Sequence, residues 1–152
     1  MLNYIKQKLK DKFDMKTYNV GLLQAQVYRT LKKQTNEILK DYTLTTFDWA
    51  VLGILYESKD GENAINLAQE IDVSQAFISK VLKKLEVAKY IEIKIEEDAR
   101  YKKIFLTNIG RRNLEKIEPI LKQKMKVLLK DIALTDLYGY INTLKKIVAN
   151  TM

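Results

Sequence analysis

The sequence predicts a mainly α-helical fold that carries one small β-hairpin, an α+β wing on a helical body. Three observations predict it. Glycine and proline are scarce, 5 and 1 in 152 residues, which suits long uninterrupted helices. Apolar residues recur at helical spacing along most of the chain. A two-residue alternation appears in one short stretch, where Ile91, Ile93 and Ile95 alternate with Glu92 and Lys94.

The stretch from Asn63 to Thr107 organises the rest. A short helix, Ala64 to Ile71, turns Leu67, Ala68 and Ile71 to one side. Asp72 stands where the chain must turn sharply, and Asp tolerates a left-handed backbone better than most residues. Ser74 is a natural N-cap for a second helix over residues 74–88. In that helix Ile78, Val81, Leu82 and Leu85 form one apolar stripe for a core. At 100° per residue Ala76, Ser79, Lys80 and Lys83 face the opposite way, with Lys84 on the flank. A narrow, polar and cationic outer face of this kind can enter the major groove of double-stranded DNA. The strand at 91–95, a polar tip at Glu96 to Arg100 and a second strand from Tyr101 to Leu106 complete the unit. Helix, turn, helix and hairpin in that order make a winged helix-turn-helix over residues 45–107, with its recognition helix at 74–88 and its wing at 91–106. Ser74, Gln75, Ala76, Ser79, Lys80, Lys83 and Lys84 are its candidate DNA-binding residues. Lys80 and Lys83 suit phosphate or guanine, Gln75 and Ser79 base edges or phosphate, and Ala76 a thymine methyl. Lys102 and Lys103 are generic phosphate contacts.

The other elements follow in order. Residues 1–14 place Leu2, Ile5, Leu9 and Phe13 at helical spacing with lysines opposite. Such a stretch can lie on a membrane surface or pack on a partner subunit, and the pattern favours the subunit. A long helix over 17–41 carries Leu22, Leu23, Val27, Leu31, Ile38 and Leu39. Its Tyr18 and Tyr28 can line a ligand pocket or serve as half-buried packing. Thr45 with Asp48 starts a helix like a capping box, and the residues after it are apolar on several sides. Trp49 in that helix suits a core or a pocket wall. Ser58 to Glu62 is the turn out of it. A helix from Thr107 to about Lys130 contains Pro119, where a kink is expected. Thr135 and Asp136 cap a last helix bearing Leu137, Ile141, Leu144 and Val148. These terminal helices carry more apolar face than one small lobe can cover, so residues 1–42 and 108–152 are expected to form the dimerisation lobe of a twofold homodimer. The 152 residues then make a single domain.

Charge narrows the function classes. The net charge of +8 favours a polyanionic partner. Its distribution is uneven: residues 46–106 carry nine Lys or Arg against eleven acids, while Val73 to Lys89 carry four lysines against Glu86 alone. The local cluster therefore supports a groove-facing helix, and the global charge does not. Absence of cysteine and histidine removes disulfides, thiol chemistry, zinc sites built on those residues and the commonest general base. No catalytic constellation, metal site or cofactor is expected. With no signal peptide or membrane-spanning run in the sequence, a cytoplasmic protein is expected.

The pattern resembles the MarR family of bacterial transcription regulators. The resemblance is carried by Leu67-Ala68, Val73-Ser74, Lys84-Leu85-Glu86, Asp98-Ala99-Arg100 and Leu106-Thr107-x-x-Gly110, with Thr43-Leu44-Thr45 and Phe47 to Leu55 upstream. It spans roughly residues 18 to 150. Two departures stand out: Lys89 occupies a position the family usually gives to glycine, which implies backbone strain, and the wing tip is acidic and short. The resemblance implies a homodimeric repressor on a pseudo-palindromic operator, relieved by a small aromatic or anionic effector bound between the lobes. Tyr18, Tyr28 and Trp49 are the candidate pocket residues. It also implies that Arg100 reaches the minor groove or its rim, a narrow negative site suited to Arg, held by a bidentate pair with Asp98. The alternative is a winged-helix module whose groove face binds protein, favoured by the acidic tip and the acid-rich centre of the chain.

Overall fold

The computed structural model describes residues 2, 3, 16–98 and 100–152. The amphipathic start expected over 1–14 lies almost wholly outside them. The elements are α1 (Thr17–Leu39), a 3-10 turn (Lys40–Tyr42), α2 (Thr46–Glu57), α3 (Ala64–Ile71), α4 (Gln75–Val87), β1 (Ile91–Ile95), β2 (Lys102–Leu106), α5 (Asn108–Leu128) and α6 (Leu134–Asn150). The chain divides into two compact units, one ending at Glu115 and the other running from Lys116 to Met152.

In the first unit the core is drawn from short elements. Leu39, Val51, Leu52, Leu55, Leu67, Ile78, Leu85, Ile91 and Ile104 are almost completely buried. The capping box of α2 forms as its sequence requires: Thr45 Oγ1 accepts from the Asp48 amide at 3.2 Å, and Asp48 Oδ2 accepts from the Thr45 amide at 2.7 Å. Asn63 caps α3, its Oδ1 accepting from the Asn66 amide at 2.8 Å. The turn to α4 passes through Asp72 at φ 58°, and the Val73 amide returns to the Ala68 carbonyl at 2.9 Å. Ser74 then opens α4, its Oγ accepting from the Phe77 amide at 3.1 Å. The stripe of Ile78, Val81, Leu82 and Leu85 is buried, as its spacing predicts.

The exit from α4 explains two sequence features together. Lys89 adopts φ 63°, a conformation that costs a side chain with a Cβ roughly 1–2 kcal/mol. Thr107 Oγ1 donates to the Lys89 carbonyl at 2.6 Å and accepts from the Gly110 amide at 3.0 Å, tying the end of α4 to the start of α5. The approach is so close that a Cβ on Gly110 would sit 2.2 Å from the Tyr90 carbonyl oxygen. Glycine is the residue that fits there.

The hairpin pairs Ile91 with Leu106 and Ile95 with Lys102, antiparallel. Burial falls along β1, from Ile91 in the core to Ile95 at 66% exposure. The hairpin is thus rooted at one end and free at the other. β2 starts at Lys102, one residue after the expected Tyr101. The segment after α2 is more than the turn expected of it, because Glu62 exchanges two backbone hydrogen bonds with Ile104, at 3.0 and 2.8 Å. Gly61, at φ 75°, permits this contact, since a Cβ would meet the Phe105 ring at 2.8 Å.

Only the C-terminal end of α1 is packed. Leu39 is buried, while Tyr18, Leu22, Leu23 and Tyr28 are each more than half exposed. In the second unit Ile117 and Leu121 of α5 are buried and α5 continues on both sides of Pro119. The start of α6 corrects an expectation. Ala133, without a side-chain cap, precedes the helix, and Thr135 and Asp136 lie inside its first turn. Asp136 still suits that place, because the free amides of a helix start favour a negative charge.

Candidate nucleic-acid interface

The outer face of α4 is built from both ends of the helix. The Ser74 cap commits the hydroxyl of that residue to the Phe77 amide, while Gln75, Ala76, Ser79, Lys80 and Lys83 are exposed along the next turns. Ser79 Oγ donates to the Gln75 carbonyl at 2.8 Å, which leaves its lone pairs for an incoming donor. Ser79 and Lys83 also line a crevice of about 230 Å³ with Leu82, Glu86, Ala64, Ile93, Ile104 and Lys102. The structure therefore brings Ser79, Lys83 and Lys102 to one crevice between α4 and the hairpin. Among the described residues no carboxylate lies within ion-pair reach of Lys80, Lys83 or Lys102. Three cations without an acidic partner on one exposed surface can neutralise phosphates.

Lys84 stands apart from them. Its ammonium engages Asp48 of α2, a side chain almost without solvent exposure. Helical spacing alone placed Lys84 on the flank of the outer face, and a contact between residues 36 positions apart leaves no trace in that spacing.

The wing neutralises most of its own acids. Glu92 pairs with Lys94 at 3.4 Å, Glu96 with Lys103 at 3.4 Å, and Lys94 also lies over the Phe105 ring at 4.9 Å. At the tip Arg100 Nε donates to Asp98 Oδ1 at 3.0 Å and Nη2 to Oδ2 at 3.1 Å. The Arg100 guanidinium beside it holds the Asp98 carboxyl below the usual carboxylate range. The pair aligns the guanidinium yet leaves it 85% exposed, free to meet a third group. The acidic tip thus presents a cation outward.

Of the residues expected to line an effector pocket, Tyr18 and Tyr28 do not meet one another. Tyr18 and Tyr28 are ten residues apart on α1, roughly 15 Å along its axis. Lys32 lies over the Tyr28 ring at 5.6 Å, and Trp49 is half-buried on α2. None of the three lines the crevice beside α4. Among the described residues there is no cluster of acids able to hold a metal ion, and no helix long and apolar enough to cross a membrane.

The arrangement of α2 to β2, with α1 and α6 flanking it in sequence, has close counterparts among solved structures. A MarR-family transcriptional regulator from Rhodococcus sp. RHA1 superposes with a TM-score of 0.79 at 20% identity, over 88% of this chain and 95% of that one. The fold is that of the MarR regulators. CouR from Rhodococcus jostii RHA1, solved with p-coumaroyl-CoA, gives 0.79 at 22% identity over 84% and 90% of the two chains. MepR of S. aureus, solved with DNA, gives 0.75 at 22% identity over 86% and 96%. No family model and no curated protein matches the sequence.

Proposed function

We propose that this protein is a sequence-specific, homodimeric DNA-binding transcription regulator of the MarR type, acting as a repressor at a pseudo-palindromic operator. The observation that carries the reading is the outer face of α4, where exposed Lys80 and Lys83 have no acidic partner among the described residues and Lys102 of the wing lines the same crevice as Lys83. MepR, with the same fold, has been solved on DNA. Gln75, Ala76 and Ser79 at the start of the helix are placed to read base edges. Lys80, Lys83 and Lys102 contact phosphate, and Arg100 enters the minor groove or its rim, its guanidinium held by Asp98. Ser74 contributes through its cap, which orients the first free amides of α4.

Dimerisation is supported by the exposed apolar faces of α1 and α6, which a second copy of the chain would cover. A small-molecule effector is supported by CouR, solved with p-coumaroyl-CoA. Such a molecule can regulate only by preferring one spacing of the two recognition helices over another. In this reading the protein works in the cytoplasm and carries no catalytic activity.

The test is duplex binding measured over a range of salt. Wild-type affinity should fall steeply with salt, and Lys83→Ala should flatten the slope by about one unit. Binding with no salt dependence, or a slope that Lys83→Ala leaves unchanged, contradicts the assignment and points to a protein ligand for this face.

A further inference from the structure

We infer that the ion pair between buried Asp48 and the half-exposed Lys84 is a positioning device for α4, holding the outer face in the orientation that meets DNA, so that Lys84 acts through the helix and not by touching a phosphate. The inference rests on the DNA-binding reading above.

Asp48 is 1% exposed and is the one polar or charged residue among the described residues that is buried in the core. Its orientation is set locally, within the first turn of α2. Oδ2 already accepts from the Thr45 amide at 2.7 Å to close the capping box of α2, and the same oxygen receives the Lys84 ammonium. A carboxylate locked by a local cap offers a fixed anchor to a helix that comes from elsewhere in the chain. One turn of α2 grips α4 twice, because Phe47, next to Asp48, meets the Phe77 ring edge-on with centroids 5.0 Å apart. Phe77 and Lys84 are seven residues apart. They share one face of α4 and lie roughly 10 Å apart along its axis. Two contacts at that separation fix the tilt and the rotation of the helix together, where one contact would leave tilt free.

The energetics point the same way. Only the carboxylate is desolvated, since the Lys84 side chain stays 42% exposed; a pair of this kind contributes modest net stability, and the best-attested use of a buried charge is to specify register. Lys80 and Lys83, the same residue type on the same helix, have no acidic partner among the described residues. What distinguishes Lys84 is the anchor it meets.

The test uses the full chain with Asp48→Asn, Lys84→Met, Lys84→Arg and the double variant Asp48→Asn/Lys84→Met. Asn at position 48 can still accept from the Thr45 amide, so the cap survives. Each neutral single variant should bind its duplex about tenfold more weakly, and the double variant no more weakly than either. Lys84→Arg should restore most of the affinity, and the salt slope should stay at its wild-type value throughout. In the free protein the amides of Gln75 to Val87 should exchange faster in the neutral single variants, while those of β1 and β2 keep their rates. A salt slope reduced by about one in Lys84→Met, with Asp48→Asn harmless, would make Lys84 a phosphate contact and overturn the proposal. So would a lowered melting temperature with unchanged affinity, or unchanged exchange in α4. If the wild-type protein prefers no DNA sequence, the DNA reading has failed, and the exchange experiment still decides whether the pair holds the helix.

Discussion

The segment from Thr45 to Leu106 and the helix α6 both carry apolar residues at regular spacing, and they bury them very differently. In the first, Leu52, Leu67 and Leu85 are fully buried. In α6, Leu134, Tyr138, Ile147 and Val148 are each more than half exposed, and no residue of the helix is buried. Periodicity reports that a face needs covering and is silent about what covers it. In the winged-helix segment the cover comes from neighbouring short elements of the same chain. For α6, and for the first half of α1, the same chain supplies no such cover among the described residues, and the cover proposed above is a second copy.

The contrast can be broken or sharpened by substitution. The largest effect is expected inside the lobe. Leu85→Ala should destabilise the fold by about 2–5 kcal/mol, read from chemical denaturation, because Leu85 is fully buried and its truncation leaves a cavity in the core. Next comes α6, where Ile141→Glu combined with Val148→Glu should raise the dimer dissociation constant by about a hundredfold, since each buried carboxylate costs at least about a tenfold in affinity. Sedimentation would register the shift, and an unchanged dimer would show that α6 is covered by something else. Smaller effects lie at the exit of α4. Gly110→Ala should cost about 1–3 kcal/mol through its clash with the Tyr90 carbonyl, whereas Lys89→Gly should gain about 1 kcal/mol by relieving the positive φ. A melting curve for each separates a close approach from a strained backbone.

The smallest effect concerns the wing tip. The folded carboxyl of Asp98 ionises below the usual range, so its pairing with Arg100 is complete above the ordinary aspartate value and is lost as pH falls through the lower folded one. An NMR titration of the Asp98 side chain should show that depressed midpoint, and Arg100→Ala should return it to the ordinary range. A midpoint already ordinary in the wild type would mean that the pair does not persist in solution.

Which parts could be read from the sequence follows from the range of the forces involved. The bounds of α3, the left-handed Asp72, the Ser74 cap, the Thr45–Asp48 box and the stripe of α4 depend on residues a few positions apart, and each formed as its local pattern requires. The Asp98–Arg100 fork is equally local. Contacts over long separations were hidden. The Glu62–Ile104 rung, the Thr107 bond to the Lys89 carbonyl and the turn of Lys84 toward Asp48 join segments that no helical or strand period connects. Asp48 gave a partial signal, since an acid amid Phe47, Trp49, Val51 and Leu52 must find partners once buried. Its cap partner was visible from spacing, and its second partner was not. The start of α6 was displaced for the opposite reason: Thr135 and Asp136 are good caps, but the extended backbone falls at Ala133.

The most direct test of the central claim is selection of bound duplexes from a random DNA library near physiological salt. A homodimer that reads sequence with α4 should enrich an inverted repeat whose half-site centres lie about one helical turn apart, roughly 34–36 Å. Recovery of no preferred sequence, with only salt-labile binding, would contradict the account and identify the outer face of α4 as a surface for a different partner.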